Sequence, residues 1–214
     1  MDLNTLEKIC RDFIDKELES DAAHDLAHIQ RVVSNARSIV AKETSDPEVV
    51  LAAAWLHDCV ILPKNHPDRK KASTLAAQKA GRFLSDTDFP PNKIQAVTHA
   101  IESHSFSAGI ETETIEAKIV QDADRIDALG AIGIARCFSV GGQMNSPLYN
   151  PDDPFCENRS PDDKKWTVDH FFVKLFKLPK TMHTDAARQM AEKRVEYMKD
   201  FLIELSAEIK AHNN

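Results

Sequence analysis

Residues 45–60 read SDPEVVLAAAWLHDCV, and this stretch decides the fold. Ser45-Asp46-Pro47 is a helix start, a capping side chain followed by a proline at the first helical position. The helix it opens, Glu48 to Val60, is apolar on nearly every side. Such a helix belongs at the centre of a bundle rather than on a surface. Near its end stands Leu56-His57-Asp58-Cys59, so a His-Asp doublet is carried into the core. A carboxylate is rarely buried without a partner or a metal. Taken alone, the doublet reads more readily as a hydrogen-bonded core pair than as a pair of ligands.

Outward from this helix the periodicity stays helical. Leu3, Leu6, Ile9, Cys10, Phe13 and Leu18 recur at spacings near one helical turn. A second helix is expected from Asp25 to Glu43, with Leu26, Ile29, Val32, Val33, Ala36, Ile39 and Val40 on one face. Leu62 to Arg69 carries two prolines, an Asn and an Asp and reads as a loop. Helices are expected at Ala72 to Leu84, Pro91 to His104 and Glu113 to Ser139. Gly141 to Asp163 is rich in Pro and Gly and reads as a long surface excursion. Helix returns at Thr167 to Leu178 and Thr184 to His212. No strand-like alternation, internal repeat or low-complexity tract interrupts the pattern. The expectation is an all-α chain, residues 1–214 forming a single domain of about eight helices.

Composition agrees with a globular chain that needs no staples. It has 214 residues, 42% of them hydrophobic and 29% charged, enough to bury a full core. Six glycines are too few for Gly-rich dinucleotide folds, and no phosphate-loop, dinucleotide or nucleophile-elbow motif occurs. The formal net charge of −7 argues against a nucleic-acid duplex as partner. It leaves room for small phosphorylated substrates, which need only local cations. The apolar run Val49 to His57 is too short to cross a bilayer, and no membrane partner is expected. The N-terminus lacks a basic segment leading into an apolar run, and the four cysteines show no CxxC spacing. These features lead to the expectation of a cytoplasmic protein with free thiols, a monomer or homodimer.

Two further segments bring metal-compatible groups. His24 and His28 are four residues apart, about 400° round a helix, and so share a face. His28 interrupts the apolar stripe between Leu26 and Val32, which turns it toward the core. Downstream, Ile119 to Leu129 reads IVQDADRIDAL, with Asp122, Asp124 and Asp127 crowded by apolar residues. Asp124 and Asp127 share a face, and Asp122 points elsewhere. Two histidines and two aspartates from three helices make a site for a divalent metal, with imidazole and carboxylate suiting Mn, Fe, Co, Ni or Zn. The absence of Cys from the set argues against structural zinc.

The ordered set, HDxxHxxRV from His24, the His57-Asp58 doublet and DADRIDALGAIGIAR from Asp122, resembles the HD-domain superfamily of metal-dependent phosphohydrolases. The resemblance covers roughly residues 23–136, with residues 164–212 as a helical extension packed on that core. KNHPDRKKAS from Lys64, HAIESHSFS from His99 and VDHFFVKLFKLPKTMHT from Val168 resemble the YpgQ/YedJ-like subfamily of small bacterial proteins. The resemblance implies a single HD-type helical bundle, with His28, His57, Asp58 and Asp124 holding one divalent transition metal, Mn first and Mg also admissible. It implies that Asp127 orients neighbouring groups. It also implies hydrolysis of phosphate esters or anhydrides, with nucleotides as the expected substrates.

That chemistry needs cations for the developing negative charge. Lys64, Arg69, Lys70 and Lys71 follow the doublet in a Pro-rich loop, Arg31 lies one turn beyond His28, and Arg125 adjoins Asp124. Lys64, His66, Arg69 and Lys70 are candidates for binding substrate. Asp58, Lys64, Arg31, Arg125, His99 and His104 are candidates for the chemistry itself. His66, His99 and His104 could also supply a proton or extra ligands. His99 and His104 are five residues apart, about 140° round a helix, so both reach one metal only if the helix ends between them. Two other classes fit the same scaffold: a di-iron oxygenase, which needs those extra histidines, and a metal- or nucleotide-binding module without turnover.

Overall fold

The structure, a computed structural model, describes residues 1–18, 26–60, 62, 66–105 and 108–211. Among these residues there are nine α-helices and no strand. The fold is all-α. Two compact units divide the chain, residues 1–124 and 125–214. No helix among the described residues is long and apolar enough to cross a membrane. None of the four cysteines is in a disulfide.

The first unit is built round α3 (Pro47–Leu56), in which every residue from Val49 to Leu56 is buried. Each large apolar side chain hidden there is worth about 1.5–3 kcal/mol. Around it pack α1 (Leu3–Leu18), α2 (Leu26–Val40), α4 (Ala72–Ser85) and α5 (Pro91–Ser103). The start of α3 is capped as its sequence requires: Asp46 accepts from the Glu48 backbone N–H at 3.0 Å, and Pro47 follows. Lys93 of α5 reaches both Asp46 (2.6 Å) and Glu48 (2.5 Å), tying the two helix starts together. The Asp46 backbone N–H donates to Glu116 of α6 (Ile115–Asp127) at 3.0 Å.

α3 ends four residues earlier than its apolar run suggested. After Leu56 the chain turns, with the Cys59 N–H returning to the Leu56 carbonyl at 3.1 Å. His57, the C-cap, keeps helical backbone angles, and the turn begins with it.

The helix expected from Glu113 to Ser139 is two helices, α6 and α7 (Gly130–Gln143). Leu129 is extended, and Gly130 takes φ +74°, a left-handed conformation that an L side chain resists. The Arg194 side chain occupies the space beside it, 3.3 Å from where a Cβ would stand. Arg194 also donates to the Ile126 carbonyl at 2.8 Å, holding an acceptor at the end of α6.

In the second unit the expected helix Thr167 to Leu178 is only α8 (Asp169–Val173) followed by a 3₁₀ segment, Leu175–Thr181, which contains Pro179. α9 (Asp185–Ala211) completes the chain's helices. Phe171 is fully buried and packs among Phe138, Phe176 and Phe201, with ring centroids 5.9–6.4 Å apart. The excursion after α7 is ordered about one buried acid. Asp169 is fully buried and accepts two bonds from Arg159 (2.5 and 2.7 Å) and one from the Asp162 N–H (2.6 Å).

Candidate metal centre

Four side chains of the first unit converge where α2, α3 and α6 meet. His28 sits in the first turn of α2, His57 and Asp58 just beyond α3, and Asp124 on α6. His28 Nε2 lies 3.4 Å from Asp124 Oδ1 and 3.8 Å from Asp58 Oδ2. His57 Nε2 lies 3.5 Å from that same Oδ2. Donor atoms of His28, His57 and Asp58 fall within 4.8 Å of one another.

His57 explains why the doublet stands as it does. Its ring is fully buried, and Nδ1–H donates to the Ala54 carbonyl at 2.9 Å. That bond assigns the proton to Nδ1 and leaves a lone pair on Nε2. Nε2 is buried and has no hydrogen-bond partner. A buried polar atom left unpaired is costly, so this nitrogen calls for a ligand. A divalent cation fits the donor set: the imidazoles of His28 and His57 and the Asp58 carboxylate lie together, with the Asp124 carboxylate beside His28.

The protonation states favour the same occupant. Burial pushes the His57 pKa down, and His104 and His28 nearby add to that, so its ring is neutral. Burial alone would raise the Asp58 and Asp124 carboxyls. For Asp58 the electrostatic pull of the surrounding histidines, His57 first, and the His104 hydrogen bond outweigh it, and for Asp124 the His28 hydrogen bond leads the same reversal. Both carboxyls are held below the usual carboxylate range. Neutral imidazole and ionised carboxylate are the forms that bind metal.

His104 joins the cluster. It is the residue that follows α5, with Nδ1–H donating to the Ile101 carbonyl at 2.6 Å and Nε2 3.5 Å from Asp58 Oδ1. Its ring meets the His57 ring edge-on at 4.9 Å. Burial lowers its pKa, but Asp58 more than reverses that, so it stands above the ordinary histidine value. α5 does end between His99 and His104, yet His99 is not brought in. Its Nε2 accepts the Glu113 backbone N–H at 3.1 Å. Of the histidines that a two-metal site would draw on, only His104 lies at the cluster among the described residues.

Two buried amides that the sequence reading passed over hold α6 in place. Gln121 donates to the Ser103 carbonyl at 2.8 Å, and Asn35 to the Ala123 carbonyl at 3.1 Å. Asn35 had a legible signal, since it lies seven residues after His28 on the buried stripe of α2. Asp127 is fully buried and paired with Arg136 at 2.9 Å. Asp122 is also fully buried.

The cations are spread more widely. His24 and Lys64 lie outside the described residues. His66, Arg69 and Lys70 are exposed on the turn before α4. His66 Nδ1 accepts from the Asp68 N–H at 3.1 Å, Arg69 donates back to the Leu62 carbonyl at 3.3 Å, and Lys71 pairs with Asp68 at 2.8 Å. Arg31 is half-buried on α2. Arg125 donates to the Thr181 carbonyl at 2.8 Å.

The family model for the HD domain matches residues 25–129. YpgQ of Bacillus subtilis strain 168, an uncharacterized protein, is 34% identical over 197 residues, covering 89% of this chain and 87% of that one. The chain belongs to the HD-domain family. Solved structures agree with that membership. An HD-superfamily hydrolase from Bacillus thuringiensis superposes with a TM-score of 0.77 at 34% identity, covering 97% of this chain and 98% of that one. YpgQ of Bacillus subtilis in complex with ADP superposes with a TM-score of 0.72 at 31% identity, covering 95% of each chain.

Proposed function

We propose that this HD-domain protein is a metal-dependent phosphohydrolase of small phosphorylated molecules, nucleotides foremost. Cleavage of nucleoside triphosphate to monophosphate and pyrophosphate is the leading reaction. The observation that carries the reading is the buried, unpartnered Nε2 of His57, set among His28, Asp58 and Asp124. The ADP held by Bacillus subtilis YpgQ supports a nucleotide as the ligand class.

His28, His57, Asp58 and Asp124 would hold one divalent cation, Mn first, with Fe, Co, Ni, Zn or Mg as alternatives. When bound, such an ion would act as a Lewis acid and lower the pKa of its water toward ~7. The chain's own groups do the rest. The Ala54 carbonyl fixes the His57 tautomer, and His104 holds Asp58 Oδ1, leaving Oδ2 toward His28 and His57. With its Nε2 toward the cluster, His104 is the better proton-transfer candidate, because His99 is engaged by Glu113. Lys64, His66, Arg69 and Lys70 are the proposed phosphate-binding groups. Arg69 must give up its bond to Leu62 to serve. Arg31 and Arg125 are the proposed reserve of positive charge.

The test is a screen of nucleotides and phosphoesters against the metal-loaded protein, with phosphate and pyrophosphate measured separately. Metal-dependent pyrophosphate release from a triphosphate supports the leading reaction. Phosphate release alone would move the activity to a phosphatase. No turnover on any phosphorylated compound would leave the binding-module reading in its place.

A further inference from the structure

We infer that the second unit carries a ligand site of its own, for a small organic anion with an apolar body. The site is a cavity of about 400 Å³ formed by α7, the segment that follows it, and α8. That volume is in the range of small-molecule pockets. None of its lining residues belongs to the metal cluster.

One wall is a face of α7 bearing Cys137, Val140 and Met144. Two of these side chains are unusually open for their type, Val140 at 39% and Met144 at 59% exposure. The cavity's base is fixed by close backbone approach. A Cβ on Gly141 would overlap the Thr167 side chain, and one on Gly133 would overlap the Ala128 carbonyl.

The opposite wall is charged. Its one acid, Asp163, is engaged by His170 at 2.8 Å, and Arg136 is engaged by Asp127 at 2.9 Å. Lys164 and Lys174 line the same cavity and have no acidic partner among the described residues. Two lysines without an acidic partner, lining the same cavity as an exposed thioether and a valine, define the ligand by complement. Its acidic group meets the lysines, and its apolar part covers Val140 and Met144, methionine being an adaptable contact. A carboxylate and a phosphoryl group would both satisfy the lysines, so the shared chemistry is an anionic head on an apolar or aromatic body.

The experiment uses the full chain loaded with diamagnetic Mg²⁺ and methyl-¹³C methionine. Met144 is identified by Met144→Leu. The probes are 1-naphthoate, 1-naphthylphosphonate, neutral 1-naphthamide and inorganic phosphate. The expected result is a saturable shift of the Met144 methyl by naphthoate or the phosphonate. The tighter of the two names the head group as carboxyl or phosphoryl. Affinity should fall at least tenfold in Lys164→Ala/Lys174→Ala, whose exposed positions leave the melting temperature unchanged, and at least tenfold for the amide. The proposal is overturned by an unmoved Met144 methyl, by equal affinity in the double variant, or by an amide or bare phosphate that binds as well. The readout is a methyl shift, so it stands whether or not the metal cluster hydrolyses anything.

Discussion

His28 Nε2 on α2 stands 3.4 Å from Asp124 Oδ1 on α6, which joins the two segments of sequence that bracket the central helix. Asp124 is partly open, with 31% of its side chain exposed, whereas Asp122 two residues earlier is fully buried. Asp124 is the proposed metal ligand of the two. Elemental analysis of purified Asp124→Ala should find the metal lost. Asp122→Ala should keep most of it while melting at a lower temperature. The reverse pattern of metal content would move the ligand role to Asp122.

Metal and fold should be coupled, because the proposed ligands come from three segments of one core, α2, the end of α3 and α6. At a free metal concentration one hundred times the dissociation constant, mass action adds about 2.7 kcal/mol to stability. In a chain of this size that raises Tm by about 5–11 °C. Thermal melts with and without added Mn²⁺ measure it, and His57→Ala should erase the difference. A shift that survives His57→Ala would place the bound ion elsewhere.

The Asp169–Arg159 pair gives the second unit an acid-sensitive clamp. Burial tends to raise the Asp169 pKa, but the Arg159 hydrogen bonds and the Asp162 N–H outweigh it, so the folded value is depressed. A depressed carboxyl stabilises the fold above its unfolded pKa of about 3.9, and that stability is lost as pH falls through the lower folded value. Asp169→Asn should therefore cost about 3 kcal/mol near neutrality, the scale of a broken buried pair. It should also flatten the stability profile below about pH 4. Urea titrations at a series of pH values read both effects. Parallel profiles for the two proteins would remove Asp169 from the acid response.

Gly130 is the hinge between α6 and α7. With φ at +74°, alanine there should cost about 1–2 kcal/mol from backbone conformation alone. The Arg194 side chain, 3.3 Å from the added methyl, must also give way. Gly133→Ala should be worse, since its Cβ meets the Ala128 carbonyl rather than a flexible side chain. Melting temperatures of the two variants rank the effects, and an unshifted Gly130→Ala would refute the assigned constraint.

What the sequence made legible was whatever is locally encoded. A helix apolar on every side, capped by Asp46-Pro47, could only be central, and α3 is central. A doublet of His57 and Asp58 at its end was conspicuous because those residue types are costly there. The break at Gly130 was hidden because the apolar pattern runs on through Ile126, Leu129 and Ile132. What holds the break is Arg194, which comes from far along the chain. His104 was placed only as one of several histidines. Its approach to Asp58 follows from the turn that ends α5, which no side-chain spacing reports. The Asp169 clamp likewise rests on Arg159, from a segment whose composition reads only as loop.

The most direct test of the central claim is a paired measurement of bound metal and nucleotide turnover on the wild-type chain and Asp58→Ala. Asp58 is the residue that faces all three imidazoles, His28 at 3.8 Å and His57 and His104 each at 3.5 Å. The expected result is stoichiometric metal and metal-dependent nucleotide hydrolysis in the wild type, with both lost in Asp58→Ala while the helical content is retained. Asp58→Ala that keeps stoichiometric metal and wild-type turnover would contradict it.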